Sequence, residues 1–245
     1  MCGQQPLDRV DRAVGDDDLA VDPLEPLARE LDARAIAVDL ADRSALAAFL
    51  EEARDVDVLI ANAALPATGR ITDSSVEQID RSLDVNLRAP ILLARALAAR
   101  MAERRSGHIV FINSLAGKAA SPRSSLYCAT KFGLRGFAQS LREDLRGSGV
   151  GVSTVFPGFI RDAGMFADSG AKLPPGVGTR TPPDVAAAVV RAIEQDEGEI
   201  DVAPFGLRVG AKVAGVAPGM SATLQRWLGA EKIAEDVTRG QRGKT

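Results

Sequence analysis

The chain has 245 residues, a formal net charge of -3, 46% hydrophobic residues and only 4% aromatic ones. That length suits one α/β domain, and the apolar share is enough for a sizeable core built mainly from aliphatic side chains. The acidic balance leaves no basic footprint for nucleic acid. No apolar run is long enough to cross a bilayer, and the isolated Cys2 and Cys128 form neither a disulfide framework nor a metal spacing, which suits a reducing cytoplasm.

In chain order, residues 1–20 show no strand period and carry a run of acids at Asp16, Asp17 and Asp18, so they read as an irregular or disordered segment. The rest, 21–245, reads as a single domain with a tail from about 205. The N-terminus lacks the basic and then apolar pattern of a secretory signal. Before Asp39 the only glycines are Gly3 and Gly15, so no glycine-rich turn is available to set backbone N–H groups against a pyrophosphate. Leu24, Leu27, Ala28 and Leu31 mark a short helix opened by Asp22-Pro23. Residues 35–39 (Ala-Ile-Ala-Val-Asp) form a strand leading to Leu40. Asp42 is the N-cap of a helix whose apolar face is Leu46, Phe49, Leu50 and Ala53. A strand over 56–60 delivers Asn62, Ala63 and Ala64 to its carboxyl end. One long helix follows, striped by Val76, Ile79, Leu83 and Leu87; Asn86 lies off that stripe, where asparagine is a mediocre helix former.

The apolar, β-branched run 108–113 reads as a buried strand of a parallel sheet. Its single His108 is expected to be structural. Ser114 then sits at the carboxyl end of the strand, where open α/β sheets bind ligands. The next helix carries Tyr127, Lys131, Leu134, Ala138, Leu141 and Leu145 on one face, with Tyr127 and Lys131 one turn apart. A free phenol has a pKa of about 10. A cation nearby lowers it, so the pair makes a general acid or base for a carbonyl or an alcohol, held at its oxygen by the serine. The glycines at 147, 149 and 151 end a helix and precede a strand, the reverse of a phosphate cradle. A strand over 151–156 ends at Pro157-Gly158. Residues 159–180 read as a long loop, with Phe159, Ile160, Met165, Phe166 and Leu173 as the apolar underside of a lid or as pins to the body. Thr181-Pro182-Pro183-Asp184 starts a helix faced by Val185, Val189 and Ile193. The last strand is 199–203. The tail (Leu207, Val213, Leu224, Trp227, Leu228) reads as short helices covering the sheet or a neighbouring subunit. Alternating strands and helices from 35 to 203 argue for a doubly wound parallel sheet with helices on both faces.

Ser114, Tyr127 and Lys131 in this spacing resemble the active site of the short-chain dehydrogenase/reductase family. Asn62-Ala63-Ala64 is similar to its Asn-Asn-Ala-Gly segment, with Ala61 and Ala64 in place of the first asparagine and the glycine. Asn86 matches its catalytic asparagine, Pro157-Gly158 its Pro-Gly, and Asp39-Leu40 its adenine-facing pair. The resemblance runs from about Leu24 to Pro204. It implies a Rossmann-like fold and hydride transfer between NAD or NADP and a small, apolar secondary alcohol or ketone. Tyr127 would move the proton, Lys131 hold the nicotinamide ribose and lower the Tyr127 pKa, Ser114 position the substrate, and Asn86 sustain a water relay. Asp39, Leu40, Asn62, Ala63, Ala64, Tyr127, Lys131, Pro157 and Gly158 would meet the cofactor. It further implies a homodimer or homotetramer, with no metal. The missing glycine-rich β-α-β unit leads us to expect a fold that is incomplete at its N-terminal side, with a late start and an unpaired edge on strand 56–60. The competing reading is a catalytically silent binding or regulatory protein of the same fold.

Overall fold

A computed structural model describes residues 11–14, 24–53, 55–174, 176–219 and 230–241. The four apolar runs of the second half become parallel strands: β3 (Val58–Ala61), β4 (Gly107–Ile112), β5 (Val150–Pro157) and β6 (Glu199–Val202), hydrogen-bonded in the order β3-β4-β5-β6. Because strand side chains alternate between faces, β4 builds two cores at once. Ile109 and Phe111 pack with Leu97 and Met101 of α4 (Ala89–Glu103) and with Leu134 and Ala138 of α5 (Ser125–Asp144). Val110 points the other way, to Val155 and to Val189 and Ala192 of α7 (Pro182–Gln195). All three β4 residues are 0% exposed, and each such burial contributes roughly 1.5–3 kcal/mol. This is the doubly wound arrangement that the strand–helix alternation predicts.

The N-terminal side differs from expectation at one place. Asp11–Val14 forms a short strand, β1, within a segment expected to be irregular, and pairs in parallel with β2 (Arg34–Ala37). Two charged residues in four hide any strand period; the pairing with β2 overrides the weak local signal. The rest of 1–20 lies outside the described residues. Helix α1 (Leu24–Glu30) lies between these strands in sequence. The pair forms its own two-stranded sheet, and no described strand hydrogen-bonds to the outer edge of β3. Ile60 of β3 is therefore 49% exposed although its register partner Val110 is fully buried. The two parts are joined by side chains: Ile36, Val38 and Leu40 pack with Leu46 and Phe49 of α2 (Arg43–Glu52) against Leu59, Val85, Ala89 and Leu93. Asp42 caps α2 by accepting from the Ser44 and Ala45 amides.

The helix expected as one piece over 76–103 is three: α3 (Val76–Leu83), a π-helical turn over Asp84–Arg88, then α4. The long loop 159–180 contains a short helix, α6 (Met165–Ser169), flanked by Gly164 at φ 84° and Gly170 at φ 64°, backbone angles that favour glycine. The Phe159 and Phe166 rings meet at a tilt of 54° with centroids 4.9 Å apart. The tail holds α8 (Phe205–Val216) and α9 (Ala230–Gly240); Leu224, Trp227 and Leu228 lie outside the described residues. Beneath α5, the buried Lys118 ammonium bridges Asp201 Oδ1 at 2.6 Å and Glu199 Oε2 at 2.9 Å and lies 3.8 Å from the Phe156 ring centroid. Arg135 of α5 grips the same Glu199 with two nitrogens, at 2.7 and 3.1 Å.

Candidate active site

The end of β4 and the start of α5 come together as the spacing predicts. Ser114 is extended, and its Oγ accepts from the Ala116 amide at 3.1 Å, which starts a tight 3₁₀ turn over Leu115–Gly117. The Ser114 side chain is near enough to the Tyr127 phenol to lower its pKa. Lys131, one turn further along α5, is 2% exposed; its Nζ donates to the Ile112 carbonyl at 3.3 Å and lies 5.5 Å from the Tyr127 ring centroid.

The electrostatics correct one expectation. With Lys131 beside it, the Tyr127 pKa is still raised overall and not lowered. Burial pushes the phenol up to about 12, partly offset by the Ser114 hydrogen bond, with a small upward push from the Cys128 thiol. Burial also pulls the Lys131 ammonium down to about 8. Enclosure disfavours each charged form, and here that outweighs the attraction of an ammonium for a phenolate. Near neutrality Tyr127 is thus a protonated phenol over a largely cationic Lys131.

Two residues that the sequence reading passed over fix this geometry. Asn113 Nδ2 donates to the Lys131 carbonyl at 3.0 Å, and its Oδ1 accepts from the Ser114 amide at 2.8 Å. One buried side chain thereby ties the strand tip to the helix turn. Gly117 makes the approach possible: a Cβ there would lie 2.6 Å from Asn113 Oδ1 and 2.8 Å from the Lys131 carbonyl oxygen. The only sequence signals were an asparagine ending an apolar strand and a glycine three residues after the serine.

Asn86 is 1% exposed and sits in the π-helical turn. Its Nδ2 donates to the Leu65 carbonyl at 2.9 Å and its Oδ1 accepts from the Leu65 amide at 2.6 Å. It therefore clamps the loop after β3 to the helix, and the bulge is what turns it inward. His108 is buried, with Nε2 2.8 Å from Ser153 Oγ, and its pKa is lowered, chiefly by burial.

The residues expected along a dinucleotide are spread over three places. Asn62 is exposed, while Ala63 and Ala64 are half-buried beyond the β3 tip. Pro157 and Gly158 end β5, where the Gly158 amide donates to the Val202 carbonyl at 3.0 Å. Asp39 accepts from Arg81 Nη1 at 3.1 Å and from the Ala41 amide at 2.9 Å, and Leu40 is a core residue. The donor set fits the sugar end of a dinucleotide. Lys131 carries three N–H groups and spends one on Ile112, which leaves buried donors for ribose hydroxyls. Among the described residues no glycine precedes Gly69, so no cradle for a pyrophosphate is seen there.

The short chain dehydrogenase family model matches residues 15–174 of this sequence. The chain belongs to the short-chain dehydrogenase/reductase family. Membership puts this dehydrogenase/reductase in a class of NAD(P)-dependent oxidoreductases. It is 35% identical over 204 residues to the ketoacyl reductase HetN of Nostoc sp., covering 80% of this chain and 71% of that protein. Of the mammalian and fish relatives it matches, named dehydrogenase/reductase family members 7B and 7C, it spans between 40% and 64% of their length. A short-chain dehydrogenase from Sphingobium yanoikuyae, solved with NADPH, superposes with a TM-score of 0.71 at 26% identity, over 86% of this chain and 85% of the other. The bulky-bulky ketone specific alcohol dehydrogenase of Comamonas testosteroni gives 0.66 at 25% identity, over 91% and 84%.

Proposed function

We propose that this dehydrogenase/reductase interconverts a ketone and a secondary alcohol, with Tyr127 as general acid and base. The observation that carries the reading is the tie through Asn113, which holds Ser114 against the Lys131 turn of α5, with the buried Lys131 ammonium 5.5 Å from the Tyr127 ring centroid. A carbonyl oxygen placed between the two hydroxyls gains two donors. As charge develops on it, the Tyr127 proton moves to it, because an alkoxide is a stronger base than even a phenolate raised to about 12. Lys131 neutralises the phenolate left behind and uses its free N–H groups to hold the ribose. When bound, NAD or NADP supplies or accepts the hydride. Asn86 fixes the Leu65 loop beside Lys131's helix and is assigned the upkeep of the proton relay. Asp39, Leu40, Asn62, Ala63, Ala64, Pro157 and Gly158 are assigned to the dinucleotide's path.

The substrate side is read as apolar, supported by the ring contact of Phe159 with Phe166 in the 159–180 segment, which we assign as a lid, and by relatives named for ketoacyl and bulky ketone substrates. A dimer or tetramer and a cytoplasmic location belong to the same reading, the second supported by the isolated cysteines. The alternative, a member that binds without turnover, draws on the absence of a glycine-rich turn among the described residues before Asp39. Titration with NADH and NADPH, followed by nicotinamide fluorescence and then by addition of a bulky ketone, separates them. Saturable binding with cofactor oxidation supports the reductase; saturable binding without oxidation across a ketone panel supports the silent binder.

A further inference from the structure

Helix α8 is built inside out. Small residues make its inward contacts, Ala211 and Ala214 being 5% and 8% exposed. Four of its five large apolar residues face solvent, Leu207 being half-buried: Phe205 is 78% exposed, Val209 42%, Val213 38% and Val216 89%. At about 100° per residue these four fall within one arc of roughly 80°. Arg208 and Lys212, one turn apart, run along one side of that arc. Among the described residues neither side chain makes an ion pair or hydrogen bond. The nearby acids are already engaged, Glu197 with Arg191, Glu199 with Lys118 and Arg135, and Asp201 with Lys118. A polar cavity of about 410 Å³ lined by these groups opens beside the helix, so its unmet charge is positive and belongs to α8.

We propose that α8 seats this protein on an anionic lipid surface. Phe205, Val209, Val213 and Val216 would enter the boundary between headgroups and acyl chains, and Arg208 and Lys212 would meet lipid phosphates. Twelve residues make a helix of roughly 18 Å, which lies in the interface and does not span it. The charge pattern favours lipid over a second copy of the chain. A symmetric contact would bring the same acids, already paired, to the same free cations. The proposal is independent of the oxidoreductase reading.

Flotation of the full chain with vesicles tests it. The probes are phosphatidylcholine alone and phosphatidylcholine with roughly one-third phosphatidylglycerol. The expected result is capture by the anionic vesicles, weaker capture by the neutral ones, and loss as salt rises. Phe205→Ser with Val216→Ser, and separately Arg208→Glu with Lys212→Glu, should each lower capture about tenfold or more. All four positions are exposed, so an unchanged melting temperature certifies the fold of each variant. The proposal is overturned if the wild type ignores anionic vesicles, binds both kinds equally, or binds as well with the substitutions. It is also overturned if the wild type is a dimer that Phe205→Ser splits while vesicle binding stays absent.

Discussion

The β4–β5 region and the β1–β2 region were asked to do comparable work and are built very differently. Around β4 every strand residue from Ile109 to Phe111 is sealed between two helical layers, and the Ser114–Tyr127–Lys131 group is pinned by Asn113 and Gly117. The β1–β2 pair is two strands of four residues with no described strand joining it to β3. Among the described residues it meets the body through a side-chain cluster around Ile36, Leu46 and Phe49 and a few ion pairs, Arg34 with Glu52 and, just beyond β2, Asp39 with Arg81. The Ser114–Tyr127–Lys131 group, to which we assign proton transfer, therefore rests on a rigid base, whereas the Asp39–Leu40 pair, which we assign to the adenine, rests on a thin one.

The sharpest way to break that contrast is Tyr127→Phe. Turnover should fall about 10²–10⁴-fold while dinucleotide affinity stays within about twofold; steady-state kinetics beside a fluorescence titration reads both, and near-normal turnover refutes the role given to Tyr127. Next in size is Gly117→Ala, whose added methyl meets Asn113 and the Lys131 carbonyl. We expect kcat to drop roughly 10–100-fold with KM nearly unchanged. Were the turn looser than described, the variant would be as active as the parent.

A smaller effect follows from pH. Lys131 in the free enzyme loses its proton near 8, and Tyr127 keeps its own to about 12. In the role proposed for Lys131 the cation is the competent form, so kcat/KM for reduction should be flat below about 8 and fall about tenfold per unit above it. A profile level to pH 10 would show that Lys131 stays charged. The smallest change is expected from Asp39→Ala, which removes the Arg81 contact at the thin end. Dinucleotide Kd should shift only a few-fold, and a hundredfold loss would mean that the Asp39 end contributes far more to dinucleotide binding than its thin support suggests.

The sheet centre was legible because its residues obey one rule each. A β-branched run bounded by glycine or serine gave β4 and β5, and the helical spacing of Tyr127, Lys131, Leu134 and Ala138 gave α5 with its polar first turn. Short strands with charged residues were not legible, as Asp11–Val14 shows, since pairing alone decides them. The π-helical turn at Asn86 escaped the reading of one smooth helix because periodicity registers length and face, not an extra residue in a turn. Asn113 escaped for a different reason: its partners are a neighbouring amide and a carbonyl 18 residues on, and only the folded path of the chain brings the second one near. The shifted pKa values of Tyr127 and Lys131 likewise follow from enclosure, which no local motif encodes.

The Lys118 bridge constrains how this sequence can drift. Its ammonium is 8% exposed and serves two carboxylates at once. Losing it alone strands Asp201, itself 6% exposed, as a lone buried anion, a change that typically costs about 3–5 kcal/mol. Losing Lys118, Asp201 and Glu199 together for apolar residues of similar volume can be close to neutral, although Arg135 would then need a new acceptor. Single substitutions here should therefore be rare among functional variants and joint ones tolerated, a valley that homologous sequences cross only by paired steps.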